Sequence, residues 1–292
     1  MNDTSPTPMI ECPYDILHIY YLEGTIRPEL LCFGNDFLGN WEEDGFSFLF
    51  FQQSSDKEID MLLKNAPHLK LIDTYQMTYE EWQGGKIEPM TISDFLVVPP
   101  WDKDSSNTSL KKKLILDPGV VFGTGAHPTT HDCVDLLSRF LKFIPIETVM
   151  DLGTGTGLLA LVAAKLGCRR VVAVDFNFLA VKTTLHNIRY NEFEDTIHAV
   201  QGRAETFMDM PADLMVANIH YDVMKDLIQS PGFLEKKWFI LSGLLKSQAA
   251  HIEAALSHLP VTILEKRDTG GIWHTFFGKI DSPDLSHQEK TP

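Results

Sequence analysis

The chain has 292 residues, enough for two domains or for one with a large appendage, and enough to bury a core without disulfide or metal staples. Its 44% apolar and 10% aromatic content is that of a soluble globular protein, and it has neither an apolar run of the ~18 residues a membrane span needs nor a signal peptide's basic and apolar segments at its polar start, so a cytoplasmic protein without membrane contact is expected. A net charge of −15 argues against a phosphate backbone as main partner, so no direct nucleic-acid binding is expected, and it suits a basic protein substrate.

In chain order, residues 13–21 read as a strand and Phe46 to Phe51 as another, entered through the turn signal Glu43-Asp44-Gly45. Between them a short helix follows Pro28 and a strand is expected near Phe37. Asp56 to Asn65 presents Ile59, Leu62 and Leu63 on one helical face, and His68 to Thr74 is a further strand. Strands alternating with two helices suggest a small α+β, ferredoxin-like domain over residues 1–78. Nothing in it points to chemistry, so it reads as a recognition module, with His18 and His68 structural.

The linker is placed at 79–93, and a flexible joint there would let two domains change relative orientation. The catalytic domain is expected over 94–280, opening with a strand at Asp94 to Trp101, a polar loop at 102–109 and a partner strand at Lys113 to Gly119. Next comes Phe122-Gly123-Thr124-Gly125-Ala126-His127-Pro128-Thr129-Thr130-His131, a tight loop whose Thr129 or Thr130 is placed to cap the following helix. His127 and His131 stand four apart, but Pro128 puts His127 before the helix, so no metal site is expected. Cys12, Cys32, Cys133 and Cys168 form no Cys-x-x-Cys pair and read as buried reduced thiols.

The chemistry-bearing stretch is Val149 to Gly157. A short apolar run ends in Asp151, Gly153, Gly155 and Gly157, then opens into the helical pattern from Leu158 to Gly167, hence strand, tight turn, helix. Such a turn lets a ligand rest on bare backbone beside the first helical N–H groups. A dinucleotide fingerprint wants a glycine where Leu158 stands. Asp151 and the Asp-x-Gly-x-Gly-x-Gly form instead resemble the first motif of S-adenosylmethionine-dependent methyltransferases. About 20 residues on, Arg170 to Asp175 is a second strand ending in a carboxylate placed to bind ribose hydroxyls.

The alternation then continues. Asn177 caps a helix with Val181, Leu185 and Ile188 on one side, and Thr196 to Val200 is a strand followed by Gln201-Gly202-Arg203 beside the ligand crevice. Ala212 to Ile219 is a strand whose end reaches the crevice, Trp238 to Ser242 is another, and Leu245, Ala249, Ile252 and Leu256 mark a helix. Val261 to Lys266 and Ile272 to Gly278, joined through Gly270-Gly271, read as a terminal antiparallel pair, and 281–292 as a disordered tail.

From about Trp82 to Gly278 the chain resembles the PrmA family, methyltransferases of large-subunit ribosomal protein number eleven. The resemblance is carried by Phe122-Gly-Thr-Gly-Ala-His-Pro-Thr-Thr130, Asp151-Leu-Gly-Thr-Gly-Thr-Gly157, Val174-Asp175, Val216-Ala-Asn-Ile219 and Leu241-Ser-Gly-Leu-Leu245. It implies a class I, Rossmann-like α/β domain of seven strands behind the α+β domain. It also implies S-adenosylmethionine as cofactor, S-adenosylhomocysteine as product, and no metal. By that resemblance Phe122, Gly123, Thr124 and Thr129 close over the cofactor, while Asp151, Gly153, Thr154, Gly155, Asp175 and Arg203 hold it. Asn218, the Ile219 carbonyl and Thr130 would receive the amine, Asn218 also bordering the cofactor. His220 and Tyr221 remain open as helix-start and packing residues or as parts of the amine site. The implied activity is methylation of lysine ε-amines and/or the N-terminal α-amine of a ribosomal protein gripped by the N-terminal domain. The alternatives are another protein lysine or a small amine as target, a non-catalytic S-adenosylmethionine-binding module, and a dinucleotide oxidoreductase, which Leu158 disfavours.

Overall fold

The computed structural model describes residues 12–102 and 112–281. The expected polar loop and C-terminal tail lie, apart from Asp102 and Asp281, outside the described residues.

The N-terminal region comprises β1 (Ile16–Glu23), β2 (Phe37–Glu43), β3 (Phe46–Phe51), α1 (Asp56–Asn65) and β4 (Lys70–Thr78). Its antiparallel sheet has the order β2-β3-β1-β4, the strand order of a ferredoxin-like domain. The first crossover helix is reduced to a single 3-10 turn at Pro28–Leu30. Leu30, Leu31 and Phe33 fill the space a longer helix would occupy, packing with Ile59 and Leu62 of α1 against Tyr20, Leu49 and Phe51. Asp44 and Gly45, with φ of +51° and +83°, make the two-residue turn whose twist matches the flanking strands β2 and β3. β1 begins at Ile16, later than its apolar run suggests. β4 runs on to Thr78 because β1 pairs with it along its whole length, from Ile16 opposite Thr78 to Glu23 opposite Lys70.

The stretch 79–93 holds α2 (Tyr79–Gln83), closed by a Thr78–Glu81 capping box, and β5 (Met90–Ile92). β5 pairs antiparallel with β6 (Phe95–Val98), which pairs parallel with β7 (Lys112–Ile115), a strand that stops short of Gly119. This small sheet has a packing duty set by α4 (Leu158–Lys165), which is apolar all round and buried from Leu158 to Ala164. Such a helix needs cover on every side. Phe95, Val97 and Leu114 of the small sheet supply it, together with Cys133, Val134 and Leu137 of α3 (Pro128–Phe140). At about 1.5–3 kcal/mol per buried Leu or Val side chain, this layer contributes substantially to stability.

The main sheet contains β8 (Thr148–Leu152), β9 (Arg170–Asp175), β10 (Ile197–Gln201), β11 (Leu214–Asn218), β12 (Trp238–Leu245), β13 (Val261–Thr269) and β14 (Trp273–Ile280), in the order β10-β9-β8-β11-β12-β14-β13. All neighbours are parallel except those made by β14. Period-2 alternation splits its side chains between two cores. Val149, Val171, Val216 and Ile240 face α3 and α4, whereas Met150, Met215, Phe239 and Leu241 face α6 (Tyr221–Gln229) and α7 (Lys246–Leu256). β8 and β11 lie side by side where the strand order reverses, which puts a crevice at their C-terminal ends.

Two expectations need correction. Cys133 and Cys168 are buried, and burial pushes their thiols up to about 12, but Cys12 and Cys32 are exposed; all four are unpaired. In α5 (Phe178–Tyr190) Leu185 is exposed, and Thr184 and Asn187 are buried in its place beside Val181 and Ile188. These two polar residues face backbone groups that need partners, as described below.

Candidate active site

After β8 the chain turns so tightly that a side chain at Gly153 would run into Ile219, and a Cβ at Gly155 would lie 2.6 Å from the Phe122 carbonyl oxygen. Both glycines have left-handed backbone, with φ of +71° and +57°. The turn is laced from three sides. The N–H groups of Gly153 and Thr154 donate to the Val174 carbonyl at 2.8 and 3.0 Å. Thr184 of α5 donates to the Gly155 carbonyl at 2.9 Å, and the Asn187 amide donates to the carbonyls of Thr156 and Asp117 at 2.8 and 2.9 Å. From above, the Thr156 hydroxyl donates to the Gly123 carbonyl at 2.6 Å and holds the Phe122–Thr124 loop over the turn.

Two carboxylates border this cradle. Asp151 is buried; its Oδ2 accepts from the Thr154 hydroxyl at 2.6 Å, while its Oδ1 has no hydrogen-bond partner among the described residues. Burial pushes Asp151 up to about 6, against the pull of the Thr154 bond. Asp175, at the end of β9, accepts the N–H groups of Gly155 at Oδ2 and Asn177 at Oδ1, each at 3.0 Å. Its carboxyl is raised by burial and drawn back by those bonds. Acids, hydroxyls and bare backbone suit a cationic, hydroxyl-bearing ligand better than a pyrophosphate. Arg203 is exposed, its guanidinium 3.1 Å from Glu205, and the neighbouring Gly202 N–H donates to the Asp175 carbonyl at 2.9 Å.

α3 begins at Pro128, so Thr129 and Thr130 are not its caps, contrary to expectation. His127 is the N-cap; its Nδ1 accepts the Thr129 N–H at 3.3 Å and lies 2.7 Å from the Thr129 hydroxyl. Burial lowers the pKa of His127, which favours the neutral ring this acceptor role requires, and the ring sits edge-on to Trp273 at 4.6 Å. Proline at the first helical position imposes the frame, because its missing N–H needs no cap.

Thr130 therefore points inward and meets Asn218 at the end of β11. The Asn218 amide Nδ2 lies 3.5 Å from the Thr130 hydroxyl, the outer limit of a hydrogen bond. Beside it the Ile219 side chain covers Gly153, and Gly243 in β12 leaves room for Asn218 and the Ile219 carbonyl; a Cβ there would be 3.0 and 3.1 Å from their oxygens. α3 is held in place by Asp132, whose Oδ2 accepts from Thr269 and Thr275 at 3.0 and 3.3 Å, and by Arg267, which bonds Asp135 and Glu265 at 2.6 and 2.8 Å. The structure thus joins Asn218, Thr130 and Ile219 to the glycine turn and the Phe122 loop. His220 occupies the N-cap position of α6 without a capping bond, and Tyr221 lies 3.4 Å from His251 Nδ1. A cleft of about 240 Å³ opens beside the loop, lined by Trp82, Gln83, Val121, Phe122, Gly123, Thr124 and His127.

Sequence reasoning missed Thr156, Thr184 and Asn187, which hold the turn without touching its open side, and Phe176, exposed directly after Asp175. Of these only Phe176 carried a signal, a bulky aromatic at a strand's ligand-facing end. His127 and His131 join no cluster of three or more potential metal ligands among the described residues.

Comparison with known proteins agrees with this geometry. The family model described as ribosomal protein L11 methyltransferase (PrmA) matches residues 47–280. A ribosomal protein L11 methyltransferase from Desulfitobacterium hafniense is 39% identical over 225 residues, 74% of this chain and 70% of that protein. One from Bacillus cytotoxicus is 36% identical over 180 residues, 61% of this chain; the match spans 57% of that relative's own length. The crystal structure of a ribosomal protein L11 methylase from Lactobacillus delbrueckii subsp. bulgaricus superimposes with a TM-score of 0.59 at 28% identity, covering 67% of this chain and 100% of that one. Glycine turn, paired acids, seven-stranded order and a family match over most of the chain converge: this chain belongs to the ribosomal protein L11 methyltransferase (PrmA) family.

Proposed function

We propose that this protein transfers methyl groups from S-adenosylmethionine to lysine ε-amines and/or the N-terminal α-amine of ribosomal protein L11. The observation that carries this reading is the meeting of Asn218, Thr130 and Ile219 beside Gly153. When bound, the cofactor supplies an electrophilic methyl group on a sulfonium. Asp151 and Asp175 would hold its cationic and ribose parts, with Gly153, Thr154 and Gly155 as floor and Phe122, Gly123, Thr124 and Thr129 as cover. Such a displacement needs a neutral amine, and a lysine of pKa ~10.4 is mostly protonated in neutral water. With Nδ2 of Asn218 directed at Thr130, its Oδ1 is left to accept from the incoming amine, as is the Ile219 carbonyl. These acceptors orient the N–H bonds and aim the lone pair, while the shut cradle desolvates the nitrogen and lowers its pKa.

The N-terminal domain would grip the protein substrate. Residues 1–78 carry thirteen Asp and Glu against four Lys and Arg, a strongly acidic composition that suits a basic partner. A cytoplasmic enzyme acting on protein rather than nucleic acid is consistent with that charge, and no helix among the described residues is long and apolar enough to cross a membrane. The test is incubation with methyl-labelled S-adenosylmethionine and ribosomal proteins from the same organism. Label should appear on L11 and fall ~10²-fold in Asn218→Ala, the loss expected when a reacting group is mispositioned. Label on another protein, or undiminished label in the variant, would sink the reading.

A further inference from the structure

A side chain of the N-terminal domain reaches the cofactor crevice. Trp41 in β2 places its ring 5.6 Å from Phe122, edge-on at 79°, and 6.4 Å from Phe176 at 72°. Phe122 belongs to the loop that lies against Gly155; Phe176 directly follows Asp175. The indole thus spans the two sides of the cradle. Both phenyl rings nevertheless stay 68% and 53% exposed, so each retains a bare face. Trp41 is steadied from its own strand, its N–H donating to Glu43 at 3.3 Å, and by an apolar seam shared with Leu17, Ile19, Val121 and Leu179.

The approach depends on Gly39, two residues earlier and therefore on the same face of β2. Any side chain at Gly39 would collide with Leu179 at the start of α5, so its absence lets β2 lie against the catalytic domain. Both Gly39 and Trp41 precede residue 47, where the match to the family model begins.

We propose that Trp41 is a positioning residue for the cofactor: it clamps Phe122 and Phe176 together and makes adenosylmethionine affinity depend on docking of the N-terminal domain. The proposal rests on the adenosylmethionine reading of the glycine turn. Edge-on aromatic pairs are worth enough to change affinity several-fold, and binding linkage is reciprocal. Cofactor binding therefore stabilises the docked N-terminal domain as much as docking stabilises the bound cofactor. The domain that grips the protein substrate then also reports whether the methyl donor is in place.

The experiment is titration of the full-length protein with S-adenosylhomocysteine by calorimetry and by tryptophan fluorescence. Trp41→Ala should weaken binding about five-fold, as loss of one or two aromatic pairs implies. Trp41→Phe should restore most of it. Trp41→Ala added to the double variant Phe122→Ala, Phe176→Ala should weaken binding no further, since the indole acts through those two rings. The wild-type emission change on binding should be largely absent in Trp41→Phe. Gly39→Val, which leaves the aromatic rings intact but obstructs docking, should weaken binding similarly. Unchanged affinity in Trp41→Ala, or a further loss when it is added to the two phenylalanine substitutions, would overturn the proposal while leaving the adenosylmethionine reading intact. Failure of the wild type to bind at all would overturn both.

Discussion

Asp151 is the residue whose environment is most at odds with stability. Its carboxyl is buried, one oxygen has no hydrogen-bond partner among the described residues, and it is pushed up to about 6 from an unfolded value of about 3.9. A raised acid pKa in the folded state means that the native protein binds more protons than the unfolded chain between those values, so this group makes stability fall as pH rises from about 4 to 6, with no further loss above. Asp151→Asn keeps an acceptor for Thr154 and removes the buried charge. Thermal denaturation of the ligand-free variant at pH 8 should show a midpoint equal to or above the wild type. Its affinity for S-adenosylmethionine should fall ~10-fold, the scale of a lost charge-assisted contact. Unchanged affinity would remove Asp151 from the cofactor site. Asp151, Gly153, Gly155 and Asp175 were legible in the sequence because each sits at a fixed offset from a strand end. Thr184 and Asn187 were not, because their partners are carbonyls of the turn and the Asp117 segment, which only packing brings alongside α5.

Among the elements, the ends of the sheet divide the work. The C-terminal ends of β8, β9 and β11 border the proposed cofactor site; the opposite ends of β8, β11 and β12 are tied by Asp213. Its Oδ2 accepts the N–H groups of Glu147 and Thr148 at 3.0 and 2.9 Å, and its Oδ1 lies 2.7 Å from Lys237. Burial opposes the charge of Asp213, but Lys237 and these N–H groups outweigh it and hold the carboxyl at about 2. The lowered folded pKa contributes stability that is fully present above about pH 4 and is lost as pH falls through 2. Asp213→Asn should cost ~1–2 kcal/mol in urea denaturation at pH 7, in line with lost hydrogen bonds to a charged group, and should flatten this acid dependence. Affinity for S-adenosylmethionine should be unchanged; a parallel loss of affinity would mean that the two sheet ends are not separable. At this scale the parallel strands were readable as continuous apolar runs. The start of α3 was misread, because two threonines make a plausible cap until Pro128 sets the first turn and His127 takes the capping position.

For the whole molecule, the acidic N-terminal region and the basic protein substrate proposed for it would produce electrostatic steering. The kcat/KM for ribosomal protein substrate should fall ~10-fold between low and 0.5 M salt, whereas the KM for S-adenosylmethionine, engaged inside the cradle, should change little. Salt-independent kcat/KM would argue for an apolar recognition surface. The two regions meet through Leu17, Ile19, Phe50, Val120, Val121, Leu179 and Ala180, with Tyr79 of α2 buried and its hydroxyl donating to the Gly119 carbonyl at 2.8 Å. No periodicity marks this seam, since its members come from separate strands, loops and helices, each satisfying its own local pattern.

The sequence by itself determined the α/β order and the glycine turn with its two acids, because these depend on local geometry: residue types at set distances along one strand, turn and helix. Tertiary structure alone decided that α5 would donate to the turn, that Thr130 would meet Asn218, and that Trp41 would lie between Phe122 and Phe176. Those outcomes depend on which faces remain to be buried once the elements pack, and no short window of sequence contains both partners.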